Sequence, residues 1–129
     1  MTSIEPELYT NRAPAAVAFY EAAFGAAIVH QVGDGDDIVA RLEVGDARFW
    51  VTAADPGSGR LDPLTVTGAT ARVLLVCEDP AAVHDRAVGA GATALAPVCH
   101  EHGWLVGRIL DPFGHEWELG RPLGDERPA

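Results

Sequence analysis

Hydrophobic and polar residues alternate in eight short stretches of the chain, a pattern typical of half-buried β-strands. In chain order, the eight stretches are "IEPELYT", "AIVHQV", "DIVARLEV", "ARFWVTA", "ARVLLVC", "TALAPV", "WLVGRIL" and "HEWEL". Two other stretches carry apolar residues at helical spacing: "APAAVAFYEAAFGA" from Ala13 and "DPAAVHDRAVGAGA" from Asp79. The pattern therefore predicts the order β-α-β-β-β, followed by the same order again.

The two predicted helices belong to an internal repeat. Pro80 and Gly91 each lie 66 positions after their counterparts, Pro14 and Gly25. Proline suits the first turn of a helix, and glycine suits the left-handed position at or just past its end. Asp79 is in addition a good N-cap for the second helix. Matched residues at both helix ends indicate two equivalent modules.

A chain of 129 residues is long enough for one domain. We predict a single α+β domain with module one at 4–54, a linker rich in glycine and proline at 55–69, module two at 70–120 and a fraying tail at 121–129. "DPFG", residues 111–114, suits a type I turn. The two βαβββ modules are expected to form a curled mixed sheet that encloses a cleft.

Alternation also assigns each strand residue to a face. In "ARFWVTA", Phe49 and Val51 share one face; in "HEWEL", Trp117 and Leu119 oppose Glu118. The apolar faces are expected to take the helices, and the other faces are expected to line the cleft with carboxylates and aromatic rings. The residues predicted for the cleft are Glu5, Glu7, Tyr9, Arg48, Trp50, Thr52 and Glu118.

The charge balance bears on the class of partner. The chain has 19 acidic residues against 9 arginines, a formal net charge of −10. Repulsion from phosphate disfavours nucleic acid as a partner, whereas a cationic small molecule would be attracted. Solubility alone is the other explanation of such acidity.

The cysteines and the hydropathy pattern bear on location. Cys77 and Cys99 do not make a disulfide framework, no apolar run approaches membrane-spanning length, and "MTSIEPEL" lacks the features of a secretory signal. We therefore expect a cytoplasmic protein that has no membrane partner.

Two motifs and their spacing resemble the vicinal oxygen chelate superfamily, which contains glyoxalase I, bleomycin-resistance proteins and extradiol dioxygenases. The motifs are "FYEAAFG" at the end of the first helix and "DPFGHEWEL" at the end of module two. The resemblance extends from about Ile4 to Gly120, and "DPFGH" followed by Trp is closest to the glyoxalase-like subgroup. It implies the paired-module fold predicted above.

The resemblance also implies a metal site. Enzymes of this family hold a divalent metal with four His or Glu ligands, one on the first and one on the last strand of each module, and the metal acts as a Lewis acid. The last strand of module two offers Glu118, and the first strand of module one offers Glu5 or, one register step away, Glu7. The first strand of module two offers Ala71, which has no donor atom.

The fourth position, on the last strand of module one, falls on Trp50 by hydrophobic pattern or on Thr52 by strict offset. Neither is an ordinary ligand of a divalent metal. Two of four ligands are therefore missing, so we expect no metal cofactor and no catalytic residue; a divalent metal bound through misaligned ligands is the alternative.

The sequence "CHEH", residues 99–102, together with His115, is a second candidate for metal binding. We interpret it as a polar loop before a strand that begins near Trp104. His102 lies where related sequences place an aromatic residue of the pocket. His102 and Trp104 therefore complete the predicted ligand-binding set.

These features favour a small-molecule-binding protein that binds or sequesters an aromatic or cationic compound, such as an antibiotic, without chemistry. The bleomycin-resistance branch of the family works in this way, with an acidic groove formed by a dimer, so we also predict a homodimer. Whether the modules pair within or across chains stays open. The alternatives are a metal-dependent lyase, isomerase or dioxygenase, and a protein that only associates with a partner.

Overall fold

The computed structural model describes residues 1–124 and contains the two predicted modules. Its elements are β1 (Glu7–Thr10), α1 (Ala13–Phe24), β2 (Ala27–Val32), β3 (Val39–Val44), β4 (Ala47–Ala53), α2 (Pro63–Val66), β5 (Arg72–Val76), α3 (Pro80–Gly89), β6 (Thr93–Glu101), β7 (Trp104–Leu110) and β8 (Glu116–Pro122). The predicted α+β class and the β-α-β-β-β order of both modules are confirmed.

Each module forms its own four-stranded mixed sheet. The strand orders are β1-β4-β3-β2 and β5-β8-β7-β6. β1 is parallel to β4 and β5 is parallel to β8, whereas the other pairs are antiparallel. Within residues 1–124, no strand of one sheet pairs with a strand of the other. The two modules therefore contribute separate sheets, which do not close around a cleft within the described residues.

The helix ends follow the predicted chemistry. Gly25 caps α1 in the left-handed conformation, with φ at 69°, and its N–H donates to the carbonyl of Glu21. At the start of α3, the Asp79 carboxylate accepts a hydrogen bond of 3.2 Å from the N–H of Ala82. Gly91 lies just past the end of α3 with φ at 121°.

One core joins the two modules because α1 and α3 pack against each other and against the apolar faces of both sheets. Trp117 of module two lies among the aromatic rings of module one. Its ring centroid is 4.7 Å from that of Phe24, 5.4 Å from that of Phe49 and 5.5 Å from that of Tyr20. Trp117 is therefore buried by residues of both modules.

A buried carboxylate accepts hydrogen bonds from residues of both modules. Asp111 is 2% exposed and accepts hydrogen bonds from the hydroxyl of Tyr20, from the indole N–H of Trp117 at 3.0 Å and from the backbone N–H groups of Phe113 and His115. The predicted turn closes with a 3.2 Å bond from the N–H of Gly114 to the carbonyl of Asp111. Burial, followed by the charge of Asp111, raises the pKa of Tyr20 well above its usual value.

The predicted linker is more ordered than its composition indicates, since it contains α2. Asp62 is 5% exposed, caps α2 with a 2.7 Å bond from the N–H of Leu64 and accepts a 2.6 Å bond from the N–H of Asn11. These bonds hold residues 62–66 against the turn between β1 and α1.

Both ends of the domain differ from the predicted strands. β1 starts at Glu7 instead of Ile4, and Ile4, expected on the apolar face, is 94% exposed. β8 continues to Pro122, into the predicted tail, of which residues 125–129 lie outside the described residues. No helix within residues 1–124 has the length and hydropathy needed to cross a membrane.

Candidate functional site

Each sheet has an open face, which we define as the face turned away from α1 and α3. In β4, Phe49 and Val51 are buried under the helices while Trp50 is half-buried on the open face. In β8, Trp117 and Leu119 alternate in the same way with the two glutamates of "HEWEL". The predicted face assignment for these strands is therefore confirmed.

The strand registers align one residue of each strand across each open face, and we call each such line a central row. In module one the central row is Glu7, Trp50, Arg41 and His30. In module two it is Leu74, Glu118, Arg108 and Ala96. Trp50 and Glu118 are therefore equivalent, as are Arg41 and Arg108.

This register corrects one predicted position. Leu74 faces Glu118 across β5 and β8 as Glu7 faces Trp50 across β1 and β4, so the counterpart of Glu7 is Leu74 and that of Glu5, two positions earlier, is Arg72; neither is Ala71. The strict offset failed because the connections between strands and helices differ in length in the two modules. Leu74, like Ala71, has no metal-binding atom.

Glu5 lies beside the central row of module one and is already bonded. Arg41 donates to it twice, from Nε to Oε1 at 2.9 Å and from Nη2 to Oε2 at 2.6 Å, and the indole N–H of Trp50 donates to Oε1 at 3.0 Å. The Arg41 guanidinium also lies 5.7 Å from the centroid of the Trp50 ring. The hydrogen bonds from Arg41 lower the pKa of Glu5, against a smaller opposing effect of desolvation.

Glu118 lies between two arginines. Arg108 Nε donates to its Oε2 at 3.2 Å, and Arg72 Nε lies 3.4 Å from its Oε1. Arg108 also donates from Nη2 to Oε1 of Glu101 at 2.9 Å, and this bond is the main reason that the pKa of Glu101 is lowered. Arg72 reaches Glu116 as well, at 3.2 Å. Charges of opposite sign therefore alternate across this open face.

The predicted site residues separate into several places. Trp104 and Glu118 line a concavity of about 200 Å³ on the open face of module two, whose other walls are Leu74, Val106 and the Glu101–Arg108 pair. Glu7 and Tyr9 line a different cavity, of about 680 Å³, between β1 and β5.

The remaining predicted residues lie at the margins. Arg48 pairs with Glu43 at 3.0 Å, away from the central row. The hydroxyl of Thr52 is buried without a hydrogen-bond partner among the described residues. His102 is exposed in the hairpin turn between β6 and β7, with φ at 52°.

Sequence reasoning missed Arg41, Arg72, Arg108 and Glu101. The alternation in "DIVARLEV" and "WLVGRIL" was enough to assign Arg41 and Arg108 to the open face. Their carboxylate partners could not be deduced in the same way, because they lie on other strands whose register the sequence does not reveal.

The donor set does not fit the metal that the fold family implies. The last strand of module one offers Trp50, and the first strand of module two offers Arg72 as the counterpart of Glu5 or Leu74 as the counterpart of Glu7. The carboxylates of Glu5 and Glu118 are both bonded to arginines. Within residues 1–124, no three His, Cys, Asp or Glu side chains are arranged to hold a metal ion.

The sequence "CHEH" is not the predicted loop. Cys99 to Glu101 complete β6, and only His102 and Gly103 form the turn. Strand geometry directs successive side chains to opposite faces, so the cluster does not converge. His115 lies elsewhere, with Nε2 2.9 Å from the carbonyl oxygen of Tyr9.

Comparison with known proteins supplies a family match. Residues 3–119 match the model of the Glyoxalase/Bleomycin resistance protein/Dioxygenase superfamily. An uncharacterized protein of Mycobacterium bovis is 31% identical over an alignment of 127 positions that covers 94% of this chain and 84% of that protein.

Two solved structures have the same fold. A bleomycin-binding protein in complex with bleomycin superposes with a TM-score of 0.69 at 24% identity, over 94% of this chain and 98% of that chain. A glyoxalase-related enzyme from Fulvimarina pelagi gives 0.66 at 21% identity, over 94% of this chain and 88% of that chain. At these identities the likeness concerns the fold alone.

Proposed function

The chain belongs to the Glyoxalase/Bleomycin resistance protein/Dioxygenase superfamily, and on that premise we propose that it binds and sequesters a planar aromatic compound, such as an antibiotic, without converting it. The binding surface in this proposal is the pair of open faces. The residues that the proposal uses most are Trp50, Trp104, Glu5 and Glu118.

One observation carries the proposal: Glu5 and Glu118, the carboxylates at two of the four predicted metal-ligand positions, are both bonded to guanidinium groups of this chain. Glu5 accepts three hydrogen bonds and Glu118 lies within 3.4 Å of two arginines. A divalent cation would have to displace these bonds and would then find no further ligand at Trp50 or at Arg72, the counterpart of Glu5 in module two. Lewis-acid chemistry through these four positions is therefore disfavoured by the donor set.

The aromatic and aliphatic side chains on the open faces support an aromatic ligand. Trp104 forms a wall of the 200 Å³ concavity, whose other surfaces include Leu74 and Val106. Stacking on indole and contact with aliphatic side chains suit a flat organic molecule. The sequence allowed a cationic ligand as well, but the pairing of Glu5 and Glu118 with arginines removes the two carboxylates expected to attract it.

A homodimer is part of the proposal. A concavity of about 200 Å³ is smaller than the pockets that usually hold drug-sized ligands, roughly 300 Å³ and more. Apolar side chains lie exposed on the open faces: Val32 and Val76 at 56% each and Leu74 at 43%. A second copy facing these surfaces would cover them and supply the opposite wall of the site.

Equilibrium dialysis against bleomycin and a panel of planar aromatic antibiotics tests this proposal. We expect saturable binding, recovery of the ligand unchanged, and binding about tenfold weaker in Trp104→Leu, because an aromatic contact is lost. Val88→Leu, on the outer side of α3, is the matched control. Stoichiometric divalent metal in protein purified without chelator, together with turnover of a bound compound, would overturn the non-catalytic function. No binding across the panel would instead favour association with a protein partner.

A further inference from the structure

Arg41 and Arg108 hold the same place in the two modules. Arg41 faces Trp50 across β3 and β4, and Arg108 faces Glu118 across β7 and β8. Each is the central-row residue of its module's third strand, and both side chains are partly exposed, at 31% and 24%. A ligand that lies along either central row would therefore pass over a guanidinium group.

Both guanidinium groups are held in place by carboxylates and keep one nitrogen unused. Arg41 donates from Nε and Nη2 to Glu5, and Arg108 donates from Nε to Glu118 and from Nη2 to Glu101. Within residues 1–124, Nη1 of neither arginine donates a hydrogen bond. Because the guanidinium plane is rigid, two bonded nitrogens fix the direction of the third.

The charges around these arginines are nearly balanced. Arg41 and Glu5 cancel each other. In module two, Arg72 and Arg108 face three glutamates, at 101, 116 and 118, and each of these carboxylates has an arginine partner. The surface therefore attracts neither a strong cation nor a strong anion, yet it offers oriented N–H donors.

Resting on the proposed function, we propose that Arg41 and Arg108 select an uncharged aromatic ligand that carries a carbonyl or hydroxyl oxygen, which accepts a hydrogen bond from Nη1. The aromatic ring stacks beside the same group, on Trp50 in module one or Trp104 in module two. A hydrogen bond from a charged donor contributes more than a neutral one and demands a correctly placed acceptor. The oxygen, instead of a positive charge, then determines which aromatic compounds bind.

A single carboxylate argues for the opposite preference and can be tested directly. Glu7 ends the central row of module one and has no arginine partner among the described residues. It is exposed, so solvent and salt screen its charge. If the site prefers cations after all, Glu7→Gln should weaken their binding.

Three bicyclic probes of similar size separate these chemistries in equilibrium dialysis: coumarin, 1,2-dihydronaphthalene and the N-methylquinolinium ion. They offer, respectively, a carbonyl oxygen, no polar atom and a positive charge. We expect coumarin to bind about tenfold more tightly than either of the other two, as one charge-assisted hydrogen bond would give. Its affinity should change little with salt.

The variants Arg41→Lys and Arg108→Lys keep the positive charge beside Glu5 and Glu118 but remove the Nη1 donor. Coumarin should bind about tenfold more weakly to the double variant and as before to Arg60→Lys, an exposed linker control. Thermal unfolding of each variant shows whether the fold is retained, and dihydronaphthalene should bind the folded double variant as it binds the parent.

The outcomes distinguish failure of the proposed role of the arginines from failure of the proposed function. Suppose that antibiotics of the panel bind, but the N-methylquinolinium ion binds as tightly as coumarin or more tightly. The role of the arginines is then refuted and the proposed function stands, and the same holds if the double variant still binds coumarin more tightly than the other two probes. If neither the panel nor the three probes bind, both are refuted.

Discussion

Glu5 and Arg41 lie 36 positions apart in the chain, yet their side chains form a two-pronged ion pair. The sequence pattern located Glu5 and Glu118 on the open faces, but it did not reveal that each carboxylate is bonded to an arginine. Alternation determines which face a side chain is on, whereas pairing depends on strand register and on rotamers. The sequence therefore predicted which side chains of β4 and β8 lie on the open faces, but it overestimated the negative charge of those faces.

The Glu5–Arg41 pair should make stability depend on pH in the acid range. Because the pKa of Glu5 is lowered on folding, its contribution is present above the ordinary carboxyl range and is lost as the pH falls through the lowered pKa. Glu5→Gln lacks this contribution. In urea unfolding at pH 7, the free energy of unfolding should therefore be lower for the variant than for the parent, and this difference should be smaller at pH 3.

As a control for the acid series, Glu21→Gln, on the exposed side of α1, should follow the parent at both pH values. If the difference in the free energy of unfolding between Glu5→Gln and the parent stayed constant from pH 7 to pH 3, the lowered pKa of Glu5 would be contradicted.

Tyr20→Phe should destabilise the fold without opening a large cavity. The variant removes one of the donors to the buried Asp111 carboxylate, so we expect a loss of about 1–3 kcal/mol in the free energy of unfolding. Urea denaturation measures it, and Tyr9→Phe, whose ring is half-buried on the open face, should change it little. Equal losses of unfolding free energy in the two variants would show that the hydroxyl bonded to Asp111 contributes no more to stability than the hydroxyl of Tyr9.

At the scale of elements, the strands and the two long helices followed from local pattern, because alternation, caps and turn residues all act over a few positions. The structure of the linker did not follow. α2 has only four residues, too few for a periodic pattern, and its cap Asp62 also binds the backbone of Asn11, 51 positions earlier. The end of β6 was missed for a similar reason: the polar residues of "CHEH" have poor strand propensity, and pairing with β7 overrides it.

Asp62→Ala should loosen the linker while the modules stay folded. Two backbone N–H groups lose their buried acceptor, which we expect to cost about 2 kcal/mol or more in local stability. Limited trypsin digestion, followed at the bond after Arg60, should be faster in this variant. Thr70→Ala, at an exposed position just after the linker, should leave the cleavage rate nearly unchanged; equal acceleration in both would contradict the anchoring role of Asp62.

At the scale of the whole molecule, duplication explains why the fold was predictable and why the site was only partly so. Both modules repeat a proline in the first helical turn and a glycine at or just past the helix end. Their central rows differ at three of four places; arginine, at 41 and 108, is the shared residue. Family resemblance identified the ligand positions of the fold, and counting residues misassigned one of them to Ala71. Only the strand register identified Arg72 as the counterpart of Glu5 and Leu74 as the counterpart of Glu7.

Leu74→Glu should favour the monomer. Leu74 is 43% exposed on the open face, where the proposed partner would cover it, so a charge there would be desolvated in the dimer. Sedimentation velocity at micromolar concentration should give a dimer for the parent and a monomer for this variant. Val88→Glu, 40% exposed on α3, should stay dimeric; a monomeric parent would contradict the proposed homodimer.

The Tyr20–Asp111 bond and the position of Trp117 among the rings of α1 have a consequence for the history of such a duplicated chain. A separated first half would lose the acceptor of Tyr20, and a separated second half would expose the indole of Trp117 to water. Two fragments produced by cutting within residues 55–61 should therefore stay unfolded alone and regain structure when mixed. Such complementation would show that the two repeated modules depend on each other for folding.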